Sequence, residues 1–183
     1  MIIKTTLAAA AALSLAACAS NMSAPSPMTY SQAALPAAVQ VPAGNKVVME
    51  TVGVGQITYE CRVKTDMPGQ YEWVFAGPDA KLMDRSGKQV GTYYGPPATW
   101  ESMDGSKLTA TQLAVAPGGT GNIPLQLVKA NPAMGMGAMQ GVSYIQRVAT
   151  KGGVAPAMPC GAANTGVRQI VNYEADYIFY KAG

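Results

Sequence analysis

Glu101 and Asp104 are two carboxylates three residues apart with Trp100 beside them, the residue types a glycoside hydrolase uses: an acid, a base or nucleophile, and an indole platform for a sugar ring. The same Asp104-Gly105 pair reads equally as a hairpin turn, because aspartate and glycine supply tight-turn geometry. Tyr93, Tyr94 and Trp100 flank Gly95-Pro96-Pro97, an aromatic corner that could line a small-molecule or glycan site, with packing in the core or at its rim as the alternative. Histidine is absent, which removes the commonest general base near neutral pH and excludes Ser-His-Asp and Cys-His chemistries. Met134, Met136 and Met139 could offer thioethers to Cu(I), but methionine is also an adaptable apolar filler and no other soft ligand lies nearby. Gly135, Gly137 and Gly141 miss the G-x-G-x-x-G spacing by one residue and lack a following helix. No catalytic residue, metal ligand or cofactor is assigned on these grounds.

The cysteines speak to location. Lys4 and the Ala/Leu-rich stretch from Leu7 to Ala17 form the charged start and short apolar core of a secretory leader, well below the roughly 20 apolar residues a spanning helix needs. Leu15-Ala16-Ala17-Cys18 resembles the bacterial lipobox, in which Cys18 becomes the lipidated first residue; ordinary cleavage near Ala17 or Ala19 is the alternative. Several acyl chains, at about 0.8 kcal/mol per buried CH₂, make a stable anchor. No aspartate follows Cys18, which favours the outer membrane, facing the periplasm, in a cell with two membranes. Cys61 and Cys160 then remain in a compartment that permits oxidation. An internal bridge is the simplest reading, with two buried free thiols or a redox pair as alternatives, although no Cys-x-x-Cys spacing is present.

The 20 glycines and 13 prolines and a charged share of 13% suit short strands and turns more than helices. The formal charge of +3 falls by one when Lys4 leaves with the leader, so no field strong enough to gather nucleic acid is implied. Residues 1–17 are read as the leader, 18–45 as the lipidated cysteine and a flexible Ala/Ser/Pro/Met-rich tether, and 46–183 as one β-rich domain. A partly docked N-terminal strand is the alternative to the tether.

Within the domain, Ile57, Tyr59, Cys61 and Val63 alternate with Thr58, Glu60 and Arg62, the period of a half-buried strand that turns Cys61 inward. Tyr71, Trp73 and Phe75 repeat it, as do Val142, Tyr144 and Val148 with Ser143 and Arg147 opposite. The clearest run is Val171, Tyr173, Ala175, Tyr177 and Phe179. Shorter strands are expected at 47–51, 88–94, 108–115 and 125–129, separated by turn signals such as Met67-Pro68-Gly69, Ser86-Gly87 and Asp104-Gly105. The Gly/Met-rich stretch 131–141 is expected to be a long mobile loop. An all-β, antiparallel sandwich or barrel results.

Ordered blocks along this domain resemble the domain of unknown function 3455 family. They are Trp73-Val74-Phe75 with Pro78, Ala80, Leu82, Asp84 and Gly87; Gly91 to Trp100-Glu101; Asp104-Gly105-Ser106-Lys107; and Leu127-Val128-Lys129-Ala130. Further on come Val142 to Arg147 with Thr150, Gly152-Gly153, Pro156 and Cys160, then Tyr173-Glu174-Ala175-Asp176-Tyr177. The resemblance covers about residues 35–181 and implies no activity, substrate or site residue. Relatives carry a histidine near the position of Tyr93, which this chain lacks.

Together these readings describe a non-enzymatic lipoprotein domain of the cell envelope, binding or structural, touching the membrane through its lipid and partnered by a small-molecule or glycan ligand. The alternatives are an envelope glycan hydrolase using Glu101 and Asp104, and a carrier of a hydrophobic small molecule in a barrel interior.

Overall fold

Strands with one apolar face must bury that face, and a sheet that closes on itself does so while leaving no edge exposed. The computed structural model describes residues 30–183, so the leader and Cys18 lie outside the described residues. Its strands are β1 (Asn45–Val63), β2 (Tyr71–Met83), β3 (Gln89–Tyr94), β4 (Thr99–Ser102), β5 (Lys107–Ala116), β6 (Leu125–Ala130), β7 (Val142–Gly152) and β8 (Arg168–Ala182). Each pairs antiparallel with the next, and β8 pairs with β1 from Asn45↔Ala182 to Glu60↔Arg168. The expected antiparallel all-β fold is therefore a closed eight-stranded barrel.

Closure depends on β1, whose 19 residues pair with β8 on one side and, over their second half, with β2 on the other. A strand of that length must coil strongly around so small a core, and two glycines permit it. A Cβ on Gly55 would lie 2.2 Å from the Asp79 carbonyl oxygen, and one on Gly53 would lie 2.5 Å from the ring of Tyr177.

The interior is filled. Ile57, Tyr59, Leu82, Tyr93, Trp100, Leu108, Ile145, Tyr173, Tyr177 and Phe179 make one continuous core, with the inward positions of β8 matching the period-two reading. Its few polar atoms are nearly all paired: the Tyr59 hydroxyl donates to the Gly153 carbonyl at 2.8 Å, and the Tyr173 and Tyr177 hydroxyls lie 3.1 Å apart. Burial pushes both Tyr173 and Tyr177 well above the usual phenol range, so they are neutral at any physiological pH.

Cys61 is fully buried and bonded to Cys160, with the two Cα atoms 5.5 Å apart. The bridge fastens β1 to the segment 153–167 that precedes β8. Trp73 holds the same segment by donating its indole N–H to the Met158 carbonyl at 2.8 Å.

Three expectations are corrected. Residues 30–44 are not tether but a strap on the outside of the barrel, where Val39 and Val41 pack on Ala116, Leu127, Val148, Ile178 and Tyr180. Gln146 locks the strap. Its amide donates to the Val39 carbonyl at 2.6 Å and to Gln32 Oε1 at 2.9 Å, while its oxygen accepts from the hydroxyls of Tyr30 and Tyr180. A buried amide with every group satisfied is tolerated, and burial also raises the Tyr30 phenol to about 12.

The second correction concerns β7. Because the strap covers its outer face, Tyr144 and Val148 point outward beneath the strap and Ile145 and Arg147 belong to the inner side, the reverse of the expected sense. A register shift between Val142 and Tyr144 breaks the simple alternation.

The third is the stretch 131–141, which is pinned across one end of the barrel. Met134 bridges to Lys107, and Met139 is 1% exposed within the core. Met134 and Met136 remain exposed, so the three thioethers do not share one environment.

Candidate functional site

Alternation along β3 and β4 sorts the aromatic corner onto two faces. Tyr93 and Trp100 are directly paired across the strands and point inward, where their rings stack with centroids 4.5 Å apart. Tyr177 leans on both, at 5.0 Å from Tyr93 and 6.0 Å from Trp100. Tyr94 and Glu101 point the other way and bond to each other, the Tyr94 hydroxyl donating to Glu101 Oε2 at 2.6 Å. That bond to a carboxylate raises the Tyr94 phenol. Lys107 Nζ stands 3.9 Å from the same oxygen.

Asp104 serves a different end. It sits in the β4–β5 turn, where Oδ1 accepts from the Ser106 N–H and hydroxyl and Oδ2 accepts from the Ala138 N–H at 2.8 Å. The Ser106 hydroxyl oxygen in turn accepts from the Met139 N–H at 3.1 Å. Asp104 therefore ties the 131–141 segment to the turn, and a Cβ on Gly137 would strike its carboxylate at 2.4 Å. These donors, the Ser106 hydroxyl first, hold the Asp104 carboxyl down at about 2. A depressed carboxylate stabilises the fold above its unfolded pKa and loses that contribution as pH falls through the folded value. Amide-exchange protection at Ala138 and Met139 is accordingly expected to persist at pH 4, to fall as pH approaches 2, and to be lost at neutral pH in Asp104→Ala. Unchanged protection in that variant would remove Asp104 from this role.

Glu101 and Asp104 thus have separate partners, one on the outer face and one in the turn. Of the residues singled out by sequence, Tyr93 and Trp100 come together at a cavity, and Tyr94, Glu101 and Asp104 do not line it.

That cavity, of about 330 Å³, opens at the barrel end opposite the 131–141 segment and is lined by Tyr93, Trp100, Phe75, Gln112, Val128 and Arg147 among others. Its volume lies at the lower end of the roughly 300–1,000 Å³ typical of small-molecule sites. Phe75 is 49% exposed and meets Tyr59 edge-on, 6.2 Å between centroids. Gln126 donates to Gln112 across β5 and β6 at the rim. Trp100, only 2% exposed, belongs to the core and the cavity at once, and its indole N–H is the one buried side-chain polar group without a partner among the described residues. Simple alternation places Arg147 on the outer face and so misses it; apolar residues at both parities, Ile145 and Val148, are the available signal. A wider hollow of about 660 Å³ lies over Gly55, but its Lys151 and Glu174 already pair at 2.6 Å. Among the described residues, no three acidic or cysteine side chains gather as a metal site.

Fold and cavity define a small antiparallel β-barrel with a packed interior and an aromatic mouth. The chain belongs to the DUF3455 family, described as a protein of unknown function, whose model matches residues 42–181. Neither the curated proteins nor the solved structures give a significant match.

Proposed function

We propose that this chain is a non-enzymatic, lipid-anchored domain of the bacterial cell envelope that binds a small ligand at the mouth of its barrel. The observation that carries the reading is the cavity itself, walled by the aromatic rings of Tyr93, Trp100 and Phe75 with Arg147 beside them. An apolar, aromatic-lined cleft with a few polar groups at its rim is the ordinary form of a small-molecule site. Carriage inside the barrel is less favoured because side chains occupy the interior. Glycan hydrolysis is less favoured because Asp104 is committed to the turn and Glu101 to Tyr94 and Lys107. Envelope location rests on the leader and on Leu15-Ala16-Ala17-Cys18, and the disulfide suits an oxidising compartment.

Two experiments test the two halves. Cys18→Ser is expected to move the protein from the detergent fraction to the soluble envelope fraction, or to leave it unprocessed; normal processing with unchanged membrane partition would remove the anchor. Full-length protein purified from membranes is expected to retain a small molecule visible by native mass spectrometry. Trp100→Phe, which keeps a ring against Tyr93 but reshapes the cavity wall, should release it. Equal retention by both proteins would dissociate the cavity from binding.

A further inference from the structure

Arg147 carries a charge for which the barrel supplies no counter-charge. Its Nε and Nη2 both donate to a single acceptor, the Pro124 carbonyl, at 3.2 and 3.0 Å. A guanidinium has five N–H donors, so three are left over. Arg62, Arg85 and Arg168 each pair with a carboxylate within 3.0 Å, whereas Arg147 pairs with none among the described residues. The groups that feel its field are the phenols of Tyr59, Tyr93, Tyr173 and Tyr177, all kept neutral by burial. At the exposed mouth of the cavity, a cation that faces neutral phenols and pairs with no carboxylate is free to take an anionic partner.

Resting on the reading of the cavity as a ligand site, we propose that its ligand is a small aromatic carboxylate, with the acid group on Arg147 and the flat ring against Trp100 and Phe75. Guanidinium and carboxylate match as two parallel N–H···O bonds, and charge-assisted bonds of this kind are about twice as strong as neutral ones. The cavity volume accommodates one or two fused rings. Trp100 and Phe75 supply the apolar faces. Neither Glu101 nor Asp104 lines the cavity to repel the anion.

The test is a titration of the full chain with 2-naphthoate and with its neutral isostere 2-naphthamide, following the Trp100 indole N–H resonance. The acid is expected to shift that resonance and to bind about tenfold or more tightly than the amide, in keeping with the strength of hydrogen bonds to charged groups. In Arg147→Gln the preference should fall to about twofold or less, and Arg147→Lys should restore part of it. Salt offers a reading that needs no variant: raising ionic strength should weaken naphthoate and leave naphthamide unchanged. Equal, salt-independent affinities for acid and amide would overturn the charge assignment and leave the cavity reading standing. If neither compound moves the Trp100 resonance, both fall together.

Discussion

A chain in which Cys61 and Cys160 are both alanine is expected to unfold with about 2 to 5 kcal/mol less stability than the oxidised protein. The bridge closes a sequence separation of 99 residues, which in the chain-entropy model restricts the unfolded ensemble by about 4.7 kcal/mol for a loop near 100 residues. Against a typical total of about 5 to 15 kcal/mol, that is a large share. In the native state the bridge does less, because β1 and β8 already pair along most of their length without it. What it adds there is local: with the Trp73–Met158 hydrogen bond it fastens the 153–167 segment to β1 and β2. Most of the loss should therefore arise in the unfolded state, and the reduced wild-type chain should resemble the double variant. Urea unfolding of oxidised, reduced and doubly substituted protein checks this. Coincident midpoints for all three would show that the bridge contributes nothing, and two free thiols in the denatured, unreduced chain would show that it does not form.

The parts of the fold that were legible beforehand are those in which one face of a strand meets one core. Tyr173, Ala175, Tyr177 and Phe179 lie inside because period two reports a single buried face, and Cys61 follows the same logic. Such a pattern records burial and not closure, so it could not choose between sandwich and barrel. It also misleads wherever the other face is covered. On β7 the strap buries Gln146 and Val148 from outside while Ile145 packs inside, and parity then carries no direction. The strap itself has no period to detect, because it lays a few residues, Val39 and Val41 foremost, onto a surface that already exists. Order in 131–141 is likewise invisible locally, since Asp104 and Ser106 impose it from a distant turn. At the site, adjacency along the chain is not adjacency in space: Tyr93 and Tyr94 are neighbours on one strand and therefore face opposite ways. Arg147 turns inward through the register of β7, which sets it opposite Tyr177 on β8.

Gly53→Val is expected to destabilise the barrel by about 1 to 3 kcal/mol, the usual cost of overpacking, although valine has the higher strand propensity. The cause is specific. Gly53 pairs with Ala175 on β8, and the ring of Tyr177 lies across the space a side chain would fill, with Cε2 at 2.5 Å and Cδ2 at 2.9 Å from the Cβ position. Tyr177 is fully buried against Tyr93 and Trp100, so it cannot withdraw without disturbing the stack that forms the wall of the cavity. Tyr177→Ala alone should cost about 3 to 5 kcal/mol, as for other buried aromatic truncations. The two changes should not add. With the ring gone, the valine occupies vacated space and its strand preference is no longer opposed, so Gly53→Val in the Tyr177→Ala background should be neutral or stabilising. The resulting coupling, about 0.5 to 3 kcal/mol for residues in contact, is read from a double-mutant cycle by urea unfolding, with Gly53→Ala and Tyr177→Leu replacing any member that fails to fold. Strict additivity would mean that Gly53 is required for the coil of β1 itself and that the ring of Tyr177 merely fills the space left over it.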